Sequence, residues 1–318
     1  MSPIPRLIAL CAFLIPTALM LTSPARADAF DPGRTPISLS IRDGLSVDLE
    51  VFTIFAEPGE TVAIRADRPL VWRTGGASRP ASRTLDWTAP ETPGLTVVDL
   101  IDGAGAAMRL NLIVMHAHDP DSGDAINGYR LGRYPSEPYR GRENYLPPRH
   151  FAEVSEDLRN LQISPHFTLG QFLCKQPADG APYLVLSERL LAKLEVLLEA
   201  ANDRGWRADT FTVMSGYRTP AYNAAIGNGR YSRHIYGGAA DIYIDADGDG
   251  IMDDLDGDGQ VTPADAAALY ELVEELSDTP NFAPYLGGLG DYGSTSAHGP
   301  FVHVDERGWR ARWGRSAG

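Results

Sequence analysis

Ser232-Arg-His234-Ile-Tyr-Gly237-Gly-Ala239-Ala-Asp241 decides how this chain is read. It places a histidine and an aspartate seven residues apart with small residues between them. Small side chains let the backbone turn closely enough for both groups to converge. A second histidine lies in Phe301-Val-His303-Val-Asp305. Two imidazoles and one carboxylate make a three-ligand set that suits zinc and leaves one coordination position open. Water held at such a position is acidified toward neutrality and becomes a nucleophile.

Phe211-Thr-Val-Met-Ser215 reads as a strand upstream of this stretch, and Pro220 can open a short helix. Asp241-Ile-Tyr-Ile244 and Phe301–Asp305 read as further strands. Between Ser187 and Ala201, Leu190, Leu191, Leu194, Leu197 and Leu198 fall on one helical face. Ser187 is placed to cap that helix and Gly205 to end it. Helices and strands mixed without βαβ regularity predict an α+β domain over residues 161–318.

Several separated runs resemble one family. Ser232–Asp241 matches the S-x-H-x-x-G-x-A-x-D motif of zinc D-Ala-D-Ala carboxypeptidases and murein endopeptidases, whose fold is shared with hedgehog signalling domains. Ser215-Gly-Tyr-Arg-Thr-Pro220 resembles the family's S-G-Y-R-[ST]-P run. Phe301–Asp305 resembles the segment with the last zinc ligand, and Phe167-Thr-Leu-Gly-Gln-Phe172 the start of the catalytic domain. The resemblance implies a zinc peptidase acting on peptidoglycan stem peptides or cross-links, with His234, Asp241 and His303 as ligands. It also matches Arg218 to the family's substrate arginine, suited to clamp a carboxylate or stabilise an oxyanion.

The general base is left open. Many family members carry an acid three residues before the last histidine, and another branch a histidine two before it. Here those positions hold Pro300 and Phe301. Asp305 is the first candidate, because residues two apart in a strand share a face with each other. It either takes the water's proton or orients the His303 imidazole. His298 and Asp291, in the segment before β-forming Phe301–Asp305, come next. The missing acid also keeps a second function in view: a non-catalytic cell-wall binding module stabilised by zinc and calcium.

A calcium-loop insert is expected at residues 245–265. Asp245, Asp247, Asp249 and Asp256 fall at positions 1, 3, 5 and 12 of an EF-hand-like loop, with Gly250 at position 6. Asp254, Asp256, Asp258 and Asp265 repeat the pattern nine residues on. All-oxygen ligands favour calcium over zinc. Eight acids between Asp245 and Asp265 repel one another without a cation. Thr262 and Pro263 can then open a helix running to about Leu276.

Residues 28–118 read as a small all-β, Ig-like sandwich. Ile37–Ile41, Val47–Val51, Val62–Ala66 and Met108–Met115 mostly alternate apolar and polar, with turn signals such as Pro58-Gly59 and Asp102-Gly103. Residues 119–160 are rich in Pro and Tyr and read as an extended connector wrapping one of the domains. Residues 1–27 carry the three-part pattern of a signal peptide: Arg6, an apolar run Leu7–Leu21, and Ala25-Arg26-Ala27. A periplasmic or secreted protein with no membrane span after cleavage is expected. Loss of Arg6 and Arg26 takes the net charge from −14 to −16. Such a charge argues against nucleic acid as a partner. Only Cys174 then remains, which excludes a disulfide scaffold.

Overall fold

The computed structural model describes residues 29–42 and 44–314. The expected signal segment and Cys11 lie outside these residues. Strands β1 (Arg34–Ile41), β2 (Leu45–Leu49), β3 (Val51–Ala56), β4 (Thr61–Thr74), β5 (Ala77–Thr88), β6 (Gly94–Ile101) and β7 (Ala107–Val114) form one seven-stranded sheet. The order is β2-β1-β4-β6-β7-β3, with β5 on β4. An Ig-like pair of separate sheets was expected, and the structure corrects it. Strand β4 is 14 residues long, pairs with β1 at its start and β6 at its end, and shifts register against β5 between Arg65 and Trp72. That irregularity lets one strand serve both halves, so the sheet is never divided. Strand β3 closes the order parallel to β7.

The next stretch winds over the second half of the chain. It holds β8 (His116–Ala117), the hairpin β9 (Ala125–Ile126) and β10 (Tyr129–Arg130), and β11 (His150–Glu153). It continues through α1 (Glu156–Arg159), β12 (Gln162–Ser164), β13 (Phe167–Thr168) and β14 (Tyr183–Leu184). Helix α2 (Glu188–Asp203) buries the predicted leucines, and the Ser187 hydroxyl accepts from Leu190 N at 3.4 Å. Then follow β15 (Thr212–Ser215), α3 (Pro220–Ala225), β16 (Ala239–Tyr243), α4 (Pro263–Ser277), β17 (Gly288–Tyr292), β18 (Phe301–Asp305) and β19 (Ala311–Trp313). Strands in the order β15-β16-β18-β17-β19 make the five-stranded sheet of an α+β half. Helix α4 packs on β17 and β18 of it, and α2 packs against α4. Among the described residues no helix is long and apolar enough to cross a membrane.

The two halves share one core. A single apolar cluster runs from Ile37, Phe52 and Ile54 through Ile163 and Phe167 to Leu190, Leu194 and Leu198. Polar ties flank it. Arg42 donates to both Glu188 oxygens at 2.6 and 2.7 Å and to Phe55 O at 2.6 Å, while Phe55 N donates to Glu188 Oε1 at 2.9 Å. Asn111 Nδ2 donates to Gln162 O at 2.8 Å. The β half is therefore fixed against α2 and not hung on a free linker.

His166 is a further tie, and it is sensitive to pH. Its Nδ1 lies 2.6 Å from Glu195 Oε2 and its Nε2 2.9 Å from Asp31 O. Both ring nitrogens face acceptors, which suits the imidazolium. Burial opposes that charge, but Glu195 outweighs it and raises the pKa above 6.5. The stability it contributes is thus complete below the unfolded value and is lost as pH rises through the raised folded value. Urea midpoints across this window should fall with rising pH in the wild type and fall less in His166→Gln. Identical profiles would show the pair contributes nothing.

Candidate metal centre

Local chemistry brings His234 and Asp241 together. His234 lies in a 3-10 turn over Arg233–Tyr236 that ends at Gly237 with φ of 66°. A Cβ on Gly237 would collide with Val185 O. The chain then enters β16, where Asp241 lies directly opposite His303 of β18. All three side chains are buried. His303 Nδ1 is 2.8 Å from Asp241 Oδ1, and His234 Nε2 is 3.1 Å from each of them.

The outer atoms settle which protons are present. His234 Nδ1 is 2.7 Å from Gly216 O, an acceptor only, so Nδ1 carries the proton. His303 Nε2 faces Asp305 Oδ2 at 3.3 Å, which places its proton there. Both inward nitrogens then present lone pairs to each other and to the Asp241 carboxylate. Burial lowers the His234 pKa and so favours the neutral imidazole that a metal requires. Three acceptors at about 3 Å with no donor between them fit a cation, and two nitrogens with one oxygen fit zinc.

Asp305 does not sit as a base. It is fully buried, and Gly288 N and Arg307 N donate to its Oδ1 at 2.7 and 3.0 Å. The Arg307 side chain grips both carboxylate oxygens, with Nη2 at 2.5 Å from Oδ2. Burial opposes its charge, but His303 and Arg307 hold the pKa well below 3.8. Of its two expected roles, the structure supports orienting His303. Gly288 is required for this, because a Cβ there would strike the carboxylate.

A cleft of about 680 Å³ opens over the triad. Arg218 lines it, donating from Nε to Ser215 Oγ at 2.7 Å and from Nη2 to Asp241 Oδ2. Its first partner is thus a ligand carboxylate. His298 also lines the cleft, with Nδ1 2.8 Å from Gly299 O and its ring edge-on to Phe301. Asp291 does not. On β17 it pairs with Val302 of β18, one residue out of phase with the cleft-facing Tyr292, and its buried Oδ1 has no hydrogen-bond partner among the described residues. Pro300 is buried, and among the described residues Asp241 is the only acid in the cleft lining.

Sequence reasoning missed how the connector, residues 119–160, acts as a strap that holds this centre. Asn144 O accepts from Arg233 Nη1, and Asn144 Nδ2 donates to Arg307 O at 3.1 Å. Arg233 precedes His234, and Arg307 grips Asp305, so one strap residue touches both ligand segments. The Arg233 guanidinium also pairs with Glu306 at 2.5 Å and lies over the Tyr145 ring at 4.7 Å. Further along, Tyr134 and Tyr217 share a hydroxyl contact at 3.0 Å. The Pro/Tyr composition had pointed to an extended connector wrapping one of the domains, but not to these contacts.

The acidic insert forms two turns. Asp245, Asp247 and Asp253 make one group of converging oxygens, and Asp254, Asp256 and Asp258 the other. Asp253 thus stands where Asp249 and Asp256 were expected to complete the first group. Asp249 Oδ1 instead accepts from Ile251 N at 2.8 Å. Asp265, expected as a ligand, is fully buried outside both groups. It accepts from Leu255 N and Asp256 N on one oxygen and Thr262 N on the other, completing the capping box of α4.

Asp305→Asn separates the two roles sequence reasoning left open. As an orienting group, its loss should weaken zinc about 10- to 100-fold in competition with a chromogenic chelator. Unchanged zinc affinity with abolished turnover would restore it as the base.

No curated protein matches the chain. Residues 165–251 match the family model described as Peptidase M15. The match contains His234 and Asp241 and stops before His303, the insert's second turn and β18. M15 peptidases are zinc-dependent, in keeping with the His-Asp-His group. This chain carries an M15 peptidase domain, built into a longer polypeptide that adds a β half and a strap.

Proposed function

We propose that the protein is an exported zinc peptidase that cleaves peptide bonds in peptidoglycan stem peptides or their cross-links. The observation that carries this reading is the set of three acceptor atoms, His234 Nε2, Asp241 Oδ1 and His303 Nδ1, converging under an open cleft. The peptidoglycan substrate and the periplasmic or secreted location are supported by the motif resemblance and the signal-like N-terminus.

When bound, zinc supplies Lewis-acid polarisation and an acidified water. The chain's own groups do the rest. Gly216 O and Asp305 fix the two imidazoles as neutral ligands. Arg218 spends Nε and Nη2 on Ser215 and Asp241, which leaves Nη1 for a substrate carbonyl or carboxylate oxygen. His298 is assigned the proton transfer. With Nδ1–H given to Gly299 O, its Nε2 is an acceptor at the cleft wall. Tyr292 stacks on Phe301 at 4.7 Å and gives that wall an apolar face.

Defined muropeptides incubated with the zinc-loaded protein and followed by mass spectrometry test the reading. Loss of one alanine marks a carboxypeptidase, and a split cross-linked dimer an endopeptidase. His298→Ala should lower kcat about 10²- to 10⁴-fold with zinc retained. The absence of an acid at Pro300 favours one competitor, a non-catalytic wall-binding module. Zinc-loaded protein that binds muropeptides and releases no product would establish it.

Calcium is proposed for the two acidic turns as a structural brace between Asp241 and His303. The nine-residue repeat and the two oxygen groups support it. Calcium should raise the thermal midpoint, and EGTA should lower it without removing zinc. A midpoint indifferent to both would leave the insert as a solvated acidic loop.

A further inference from the structure

Most arginines here lie beside a carboxylate, as Arg34, Arg42, Arg65, Arg109 and Arg312 do. Ten described arginines lack such a pair, and three of them, Arg140, Arg142 and Arg230, lie on the face beside the cleft. Arg140, Arg142 and Arg230 are exposed, and among the described residues none makes an ion pair or a side-chain hydrogen bond. Each lies over a ring instead: Arg140 over Tyr139 at 5.0 Å, Arg142 over Trp309 at 4.2 Å, and Arg230 over Tyr231 at 4.8 Å. The rings form one cluster. Tyr139 is 5.3 Å from both Tyr231 and Tyr145, and Tyr145 is 6.1 Å from Trp309.

Stacking holds a guanidinium plane in place while its N–H donors remain around the edge. Such an edge takes a carboxylate in bidentate fashion. Arg140 also sits at φ of 53°, a left-handed conformation that costs a residue with a Cβ energy to adopt. No intramolecular ion pair offsets that cost. The face is continuous with the cleft, because Arg230 adjoins Gly229, and Gly229, Ser232 and Arg307 line the cleft.

We propose that Arg140, Arg142 and Arg230 form a docking surface for the carboxylates of a peptidoglycan strand whose reacting peptide lies in the cleft. This rests on the peptidase reading. Stem peptides bear free carboxylates, and a chain with net charge −14 repels them over most of its surface. At physiological ionic strength the repulsion is screened beyond about 8 Å, so a local cationic face can still capture them. The strap supplies two of the three arginines and thereby selects polymer over isolated peptide.

Cosedimentation with insoluble peptidoglycan sacculi tests this in the purified zinc-loaded protein. The triple variant Arg140→Gln, Arg142→Gln, Arg230→Gln should bind sacculi about tenfold more weakly at low salt, since three exposed pairs are each worth a few-fold. High salt should erase the difference. The triple Arg→Lys variant should recover part of the binding, charge being kept and the planar fork lost. Zinc content and thermal midpoint report that each variant is folded. On sacculi the Gln variant should raise KM and spare kcat. Sacculus binding equal to wild type in a folded Gln variant overturns the proposal, as does loss of binding that salt does not affect. Cosedimentation needs no turnover, so a protein that cleaves no muropeptide defeats the peptidase reading while this binding result still stands on its own.

Discussion

Three electron pairs aimed at one point are the constraint on which the structure depends. His234 Nε2, Asp241 Oδ1 and His303 Nδ1 meet within 3.1 Å, and no proton lies between them. Left alone, such acceptors repel in a buried site. The surrounding fold is arranged to hold them there. Gly216 O and Asp305 take the outer protons, the β16–β18 register sets Asp241 against His303, and Gly237 lets the chain double back. Arg307 in turn neutralises Asp305, whose charge is thereby kept for orienting the imidazole.

Support for this centre comes from outside the segment that matches the M15 family. Asn144 of the strap hydrogen-bonds both Arg233 and Arg307. The β half is joined to α2 by Arg42 and Glu188 and by a shared apolar core. A charged pair of this kind is costly to desolvate unless its geometry is satisfied, and here Phe55 satisfies it from both its N–H and its carbonyl. The molecule is thus a single packed body in which added segments brace a small peptidase core and extend its surface.

The metal triad was legible in the sequence because its residues lie in short, ordered motifs and their chemistry is unusual. Helix α2 was legible because five leucines at helical spacing have one place to go. The rest depended on contacts that no local pattern records. Strand β5 is almost entirely exposed, so Ala77–Thr88 carries no alternation to read. The undivided sheet follows from irregularities in β4. Asp305 resembled a base until Arg307 folded back onto it, and Asp265 resembled a calcium ligand until its oxygens met three backbone donors. The strap's role rests on contacts between residues about 90 to about 160 positions apart, such as Asn144 with Arg233 and Arg307.

X-ray absorption at the zinc edge of the loaded protein tests the central claim most directly. The account predicts a shell of nitrogen and oxygen at about 2.0–2.2 Å with the outer scattering of two imidazoles. A sulfur neighbour, which only a thiol such as Cys174 or a thioether can supply, or a shell without imidazole, would contradict it.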